Sequence, residues 1–156
     1  MKILITYYSR TGTTKKIAQS LKDKLGVEVE IEEIQDSVNR QGMKGYLISG
    51  KDAMQRNLTK LLPVNLSPEN YDLVIIGTPI WGWNISVPVR TYLNEQKGKF
   101  KEVAFFCTMG GSGDEKAFRE MEEIIGKKPK AALALKTLEV VKNEFENKLN
   151  EFVGKL

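Results

Sequence analysis

Near its start the chain reads Ile3-Leu4-Ile5-Thr6-Tyr7-Tyr8-Ser9-Arg10-Thr11-Gly12-Thr13-Thr14. The first part of this stretch is an uninterrupted apolar run, which is typical of a strand covered on both faces in a parallel sheet. A helical pattern follows directly, with apolar residues at Ile17, Ala18, Leu21 and Leu25. The residues between the two patterns therefore form a strand-to-helix turn that is rich in hydroxyl groups.

Two interpretations of this turn remain open. The N-terminus of a helix offers free backbone N–H groups and the positive end of the peptide dipoles, which suits a phosphate. Gly12 would let a phosphate approach the backbone, and Arg10 would either add a charged contact or point into water. The hydroxyl donors would be Ser9, Thr11, Thr13 and Thr14. Serine and threonine are also ordinary helix caps, and the turn lacks the glycine spacing of nucleotide triphosphate and dinucleotide loops.

Length and composition favour one domain over residues 1–156, with 41% hydrophobic and 28% charged residues as in an ordinary soluble globule. Cys107 is the single cysteine and the chain has no histidine, which excludes an intramolecular disulfide, a structural zinc site and a Ser-His-Asp triad. The position of Cys107 at the end of an apolar run favours a small core residue.

Location and macromolecular partners follow from charge and hydropathy. No apolar run is long enough to cross a membrane, and the N-terminus does not resemble a signal peptide, so we expect a cytoplasmic protein with no membrane partner. The net charge of +4 is modest and the lysines are spread among glutamates. Nucleic acid is therefore not an expected partner.

Strands and helices alternate along the whole chain. Strands are predicted over residues 3–8, 27–32, 71–77, 102–108 and 131–138. Helices are predicted over residues 13–25, 45–62, 88–96 and 140–153, with a further one that Asp114 would cap. Tyr46, Leu47, Met54, Leu58 and Leu61 give residues 45–62 their helical spacing. This order predicts an α/β fold with a doubly wound parallel sheet of five strands.

Ligands bind such sheets at the carboxyl ends of the strands. Three unusual loops are predicted there. The first is the hydroxyl turn, and the second follows the third strand as Thr78, Pro79, Ile80, Trp81, Gly82, Trp83 and Asn84. The third follows the fourth strand and contains Thr108, Met109, Gly110, Gly111, Ser112 and Asp114.

Trp81 and Trp83 are the only tryptophans of the chain, and both are predicted in a loop. A tryptophan in a loop commonly covers the edge of the core, since tryptophans are largely buried on average. A pair of them opposite a phosphate-type turn instead favours a flat ligand with a phosphate. A planar ring joined to a phosphate describes flavin mononucleotide (FMN).

These residues resemble the flavodoxin family over nearly the whole chain. Ser9 to Thr14 is similar to the hydroxyl-rich turn that holds the flavin phosphate in that family. Ile80-Trp81-Gly82 resembles the family's second loop, and residues 107–114 occupy the place of its third loop. The resemblance implies the strand order 2-1-3-4-5 and, because residues 131–138 are uninterrupted, the short form of the family.

The resemblance also implies roles for individual residues. Ser9, Thr11, Gly12, Thr13 and Thr14 would bind the phosphate. Trp81 would stack on the isoalloxazine ring, and the Gly82 carbonyl would accept a hydrogen bond from N5 of the half-reduced ring. Residues 109–111 would make backbone contacts. Apart from the resemblance, we also expect Trp83 to stack on the ring.

The chain departs from the family in three ways. Typical flavodoxins are strongly acidic, whereas this chain is basic. Trp83 stands where the family often has an acidic residue, which should make reduction of the flavin easier. Ser112 stands where the third loop usually has an aromatic residue, so one face of the flavin would be open or covered by Trp83.

Electron transfer is the function that the resemblance favours, with redox partner proteins or a small electron donor or acceptor as partners. The open flavin face keeps an alternative, an FMN-dependent NAD(P)H or quinone reductase. A flavin-free binding module of the same fold is less favoured. A signalling receiver domain is disfavoured because Tyr8-Ser9 and Gly77-Thr78 stand where that class has acidic residues.

Overall fold

The computed structural model describes residues 1–26 and 28–156. Within these residues, six strands form the sheet: β1 (Ile3–Tyr7), β2 (Val29–Glu33), β3 (Leu73–Trp81), β4 (Asn84–Ile85), β5 (Glu102–Met109) and β6 (Ala132–Lys136). The helices are α1 (Thr13–Leu25), α2 (Gly42–Met54), α3 (Val87–Gln96), α4 (Asp114–Ile125), α5 (Thr137–Val141) and α6 (Glu146–Val153). A short 3-10 helix covers Pro68–Asn70.

The strand order confirms the predicted topology. The sheet runs β2-β1-β3-β5-β6 with all neighbouring pairs parallel, and β4 pairs antiparallel with the end of β3. Without the two-residue β4, this order is the predicted 2-1-3-4-5. The first strand lies inside the sheet, where Ile3 pairs with Val29 on one side and with Leu73 on the other.

Alternating residues of the central strands supply two cores, one on each face of the sheet. On β3, Val74 and Ile76 belong to the cluster that contains residues of α3 and α4. Leu73 and Ile75 belong to the other cluster, which contains residues of α1 and α6. An apolar run without alternation is therefore required on each central strand, which explains the sequence pattern.

Gly77 on β3 leaves space for an aromatic ring of β5. A Cβ at Gly77 would lie 2.1 Å from Cζ of Phe106, which is fully buried. The two positions are paired in the sheet, so the ring passes over the glycine.

The third strand is longer than predicted. Residues 78–81 were expected in a loop, but β3 continues to Trp81 because it folds back on β4 as a hairpin, with Ile80 paired to Ile85. The prediction placed a strand end at Gly77 because the apolar run stops there. The hairpin keeps the second loop close to the sheet.

Helix α2 differs from the prediction in both its bounds and its buried face. It covers Gly42–Met54 instead of residues 45–62, so Leu58 and Leu61 lie beyond it. The buried residues are Gly45, Ser49 and Ala53. The residues whose spacing predicted the helix, Tyr46, Leu47 and Met54, are 59%, 63% and 65% exposed, and so is Leu58 at 60%.

A glycine causes this rotation of α2. A Cβ at Gly45 would lie 2.1 Å from the carbonyl carbon of Arg40, so the helix and the preceding loop meet through backbone atoms. Small residues permit this close approach, and the larger side chains then point away from the core.

Three other predictions are corrected at element ends. Gly113, with φ of 112°, is the residue before α4, and Asp114 is in the first turn instead of capping it. The predicted last helix is divided into α5 and α6, with Asn143 at φ of 57° between them. The last strand ends at Lys136. The start of the predicted second strand, Val27, lies outside the described residues.

In the described part of the chain, none of the helices combines the length and apolarity that crossing a bilayer would require.

Candidate functional site

A cleft of about 270 Å³ lies at the carboxyl ends of β1, β3 and β5. Residues of all three predicted loops line it: Arg10, Thr11, Thr13, Thr14, Pro79, Ile80, Trp81, Thr108, Met109 and Gly110. Two further residues complete its walls, Tyr46 and Thr137. The fold therefore brings the hydroxyl turn and Trp81 together, although about 70 positions separate them in the sequence.

The hydroxyl turn leaves two backbone donors free at the start of α1. Gly12, with φ of 95°, precedes the helix. Ser9 Oγ accepts hydrogen bonds from the N–H groups of Gly12 (3.1 Å) and Lys15 (3.2 Å), so this side chain caps the turn from outside the cleft. Among the described residues, the N–H groups of Thr13 and Thr14 have no acceptor.

A hydroxyl pair joins the first loop to the third. Thr14 Oγ1 lies 2.8 Å from Thr108 Oγ1, and both residues are buried. Either hydroxyl is able to donate in this bond, but only one does so. The proton of the other hydroxyl is therefore available to a ligand in the cleft.

Trp81 is fixed by a buried charged cluster. The Arg40 guanidinium lies 5.4 Å from the centre of the indole ring, and the Tyr8 ring lies 5.4 Å away nearly perpendicular to it. Arg40 donates from Nε and Nη2 to Asp36 Oδ2 at 3.0 and 2.8 Å, and from Nη1 to Asp52 at 3.2 Å. Burial lowers the pKa of Arg40, but the hydrogen bonds and charges of these carboxylates outweigh it and raise the pKa above its ordinary value.

Gly82 and Trp83 form the turn between β3 and β4. Both have positive φ, 54° and 63°, as a two-residue hairpin turn requires. Asn84 Nδ2 donates to the Gly82 carbonyl at 2.6 Å. Trp83 is 60% exposed and its indole N–H donates to Ser112 Oγ at 3.2 Å, so the second loop rests on the third.

Several predicted site residues lie outside the cleft. Thr78 is fully buried and donates to the Pro79 carbonyl at 2.8 Å, so it holds the strand end in place. Asp114 and Ser112 line a separate hollow at the start of α4, and Gly111 is exposed. The other residues outside the cleft are Ser9, Gly12, Gly82, Trp83 and Asn84.

Sequence reasoning missed Tyr46 and Thr137. Thr137 Oγ1 donates to the Met109 carbonyl at 3.1 Å, which ties the third loop to the end of β6. A hydroxyl residue directly after the last strand could have indicated Thr137, but the predicted strand over residues 131–138 included it. Tyr46 entered the prediction only through the helical spacing of residues 45–62, and the signal that this spacing misses the buried face was the series of small residues Gly45, Ser49 and Ala53.

An apolar groove of about 470 Å³ adjoins the cleft. Tyr46, Leu47, Gly50 and Met54 of α2 form one side, and Ile80, Trp81 and Gly82 form the other. Tyr46, Ile80 and Trp81 also line the cleft, so the two spaces share a wall.

Cys107 is fully buried beneath the cleft, as predicted for a core residue. Burial raises the pKa of its thiol to about 12, and the charge of Asp114 adds to this effect. Burial and the raised pKa both favour the neutral thiol, as suits a core residue.

Comparisons with known proteins identify the family of this fold. A flavodoxin family model matches residues 2–155. The crystal structure of a flavoprotein from Lactobacillus acidophilus in complex with FMN is similar at 29% identity and a TM-score of 0.72, over 90% of this chain and 97% of that one. Two-electron reduced Megasphaera elsdenii flavodoxin is similar in fold, at 19% identity and a TM-score of 0.57, over 94% of this chain and 93% of that one. With the family model matched over almost its whole length, this chain belongs to the flavodoxin family.

Proposed function

We propose that this protein binds FMN noncovalently in the cleft and works as an electron-transfer protein. The observation that carries the proposal is the meeting of the hydroxyl turn and Trp81 in one cleft. The flavoprotein of Lactobacillus acidophilus, which matches 90% of this chain, was crystallised in complex with FMN. When bound, FMN supplies reversible one- and two-electron chemistry.

The first loop fits a phosphate. The free N–H groups of Thr13 and Thr14 lie at the positive end of α1, whose first turn has no acidic residue. The hydroxyls of Thr11 and Thr13 lie 3.4 Å apart on the same turn, and Arg10 adds a positive charge beside the cleft. Ser9 contributes indirectly, because its bonds to the backbone shape the turn.

The second and third loops fit the ring. Trp81 lines the cleft, and Arg40 and Tyr8 hold its indole ring in place. Met109 and Gly110 of the third loop also line the cleft, and their backbone groups are available to the ring. We assign Gly82 and Trp83 to the rim of the ring site, with Thr78 and Asn84 holding the hairpin that carries them.

A reductase is the second candidate function. It is favoured by the groove beside the cleft and by the exposure of Trp83, since a hydride donor or a quinone needs access to the flavin. The basic net charge of +4 also differs from that of typical acidic electron carriers.

Two measurements test the proposal in sequence. Titration of the purified apoprotein with FMN should saturate at one flavin per chain, seen as a shift in visible absorbance and a change in flavin fluorescence. The loaded protein is then mixed anaerobically with NADH, with NADPH and, as a control, with dithionite. An electron carrier is reduced only by dithionite on the scale of minutes, whereas rapid bleaching by a nicotinamide favours the reductase. Absence of FMN binding would overturn both.

A further inference from the structure

We infer that Tyr46 of helix α2 is a second aromatic residue of the flavin site, in addition to Trp81. The inference rests on the proposed function and deepens it by naming a binding residue that the third loop does not provide. That loop reads Met109-Gly110-Gly111-Ser112-Gly113 and contains no ring. A flavin that contacts only Trp81 would leave much of its apolar surface in water.

The position of Tyr46 suits this role. Together with Ile80 and Trp81, it lines both the cleft and the adjoining groove, so it lies where the two spaces meet. Its side chain is 59% exposed, which leaves aromatic surface for a ligand to cover. Leu47 and Met54 also line the groove but do not reach the cleft.

Tyr46 is held at a set place relative to the phosphate turn. The Arg10 guanidinium lies 5.4 Å from the centre of the Tyr46 ring. Gln41, immediately before α2, donates from its side chain to the Arg10 carbonyl at 3.0 Å. The hydroxyl turn that would bind the phosphate therefore also contacts Tyr46. A ligand bound there by its phosphate lies close to the Tyr46 ring.

The packing of α2 explains why an aromatic residue faces outward there. Gly45 allows the helix to touch the Arg40 backbone, and Ser49 and Ala53 continue the same small-residue face. Tyr46 follows Gly45 directly and is turned towards the cleft. Met54, at the other end of the helix, reaches Gly82, where a Cβ would lie 2.8 Å from its Cγ. The helix is thus anchored at both ends of the groove.

The test compares FMN with riboflavin, which has the same ring but no phosphate. Tyr46→Ala should weaken the binding of both ligands by the same factor, roughly two- to tenfold, because a stacked aromatic contact is lost. Tyr46→Phe should bind both ligands like the wild type, since it keeps the ring. Met43→Ala is the matched control, because Met43 is 76% exposed on the same helix and lines neither space.

Each outcome separates the inference from the proposed function. A wild type that binds no FMN overturns the proposed function, and the role of Tyr46 with it. Wild-type binding together with unchanged binding to Tyr46→Ala overturns only the role of Tyr46. A loss for FMN alone also overturns it, because Tyr46 would then act on the phosphate through Arg10. Thermal unfolding of each variant checks that the fold is intact.

Discussion

The Arg40 guanidinium lies 5.4 Å from the centre of the Trp81 indole ring, and both residues are buried at the base of the candidate site. The same guanidinium binds Asp36 at 2.8 Å and Asp52 at 3.2 Å. The positive charge of Arg40 therefore balances two carboxylates and also holds in place Trp81, the aromatic residue that we assign to the flavin site.

Replacing Arg40 should destabilise the fold. Arg40→Met leaves the buried Asp36 carboxylate without its partner, which costs about 3 kcal/mol in the free energy of unfolding. Arg119→Met is the control, since Arg119 is exposed and the same change there should cost under about 0.5 kcal/mol. Urea unfolding followed by circular dichroism measures both. Adding Asp36→Asn to Arg40→Met should restore part of the lost stability, because it removes the unpaired charge. If Arg40→Met were as stable as Arg119→Met, the role of this cluster would be contradicted.

Removing hydroxyls from the first loop should weaken phosphate binding. Thr11→Ala combined with Thr14→Ala removes two donors, each worth roughly 1 kcal/mol or more towards a charged acceptor, so FMN should bind at least about tenfold more weakly. Riboflavin binding should change little, because it has no phosphate. Fluorescence titration measures both affinities, and an unchanged affinity for FMN would falsify the assignment of the cradle.

Replacing Gly77 or Gly50 by alanine should change the stability of the protein in opposite directions. Gly77→Ala places a methyl group 2.1 Å from the Phe106 ring and should destabilise the protein by roughly 1–3 kcal/mol or more. Gly50→Ala, in the interior of α2 with open space around its Cβ, should stabilise it by roughly 0.5–1 kcal/mol. Thermal unfolding gives the sign directly. A Gly77→Ala variant as stable as the wild type would contradict the packing of β3 against β5.

Alkaline pH should destabilise the protein partly through Cys107. Burial raises the pKa of this thiol from 9.0 to about 12, so the folded protein keeps a proton that the unfolded chain loses. The stabilisation is complete below pH 9 and is lost as the pH rises towards 12. Cys107→Ala should therefore show a smaller loss of stability across this window, measured by urea unfolding at each pH. In the native wild type at pH 8, a thiol reagent should react only after unfolding, and rapid reaction before unfolding would contradict the burial.

The sequence predicts the sheet and the three loops because their signals are local. Apolar runs mark the strands that are covered on both faces, and the hydroxyl turn after β1 is a property of adjacent residues. The bounds and buried face of α2 were wrong because its buried positions are the small residues Gly45, Ser49 and Ala53, whereas the spacing followed large apolar residues that are exposed. Only the approach of Gly45 to the Arg40 backbone decides that Tyr46 faces outward, and this contact is not visible in the spacing of apolar residues.

The candidate site was predictable to a similar extent. Ten predicted residues line the cleft, whereas the hairpin that carries Trp81 requires the pairing of β3 with β4, which the short run Asn84–Ile85 does not announce. The Arg40 cluster was missed because Asp36 and Arg40 lie between the predicted strand 27–32 and the predicted helix 45–62, and nothing in the sequence pairs them with Asp52 on that helix. Tertiary packing, not local preference, brings these groups to the indole ring.

Strand β1 lies between β2 and β3, so it cannot be paired on both edges until β3 has been synthesised. Ile3 must pair with Leu73, and these residues are 70 positions apart in the backbone. Until that segment has been synthesised, β1 has β2 as a partner on one edge and unpaired backbone groups on the other. The edge of β1 that faces β3 therefore acquires its partner only after the middle of the chain has been synthesised.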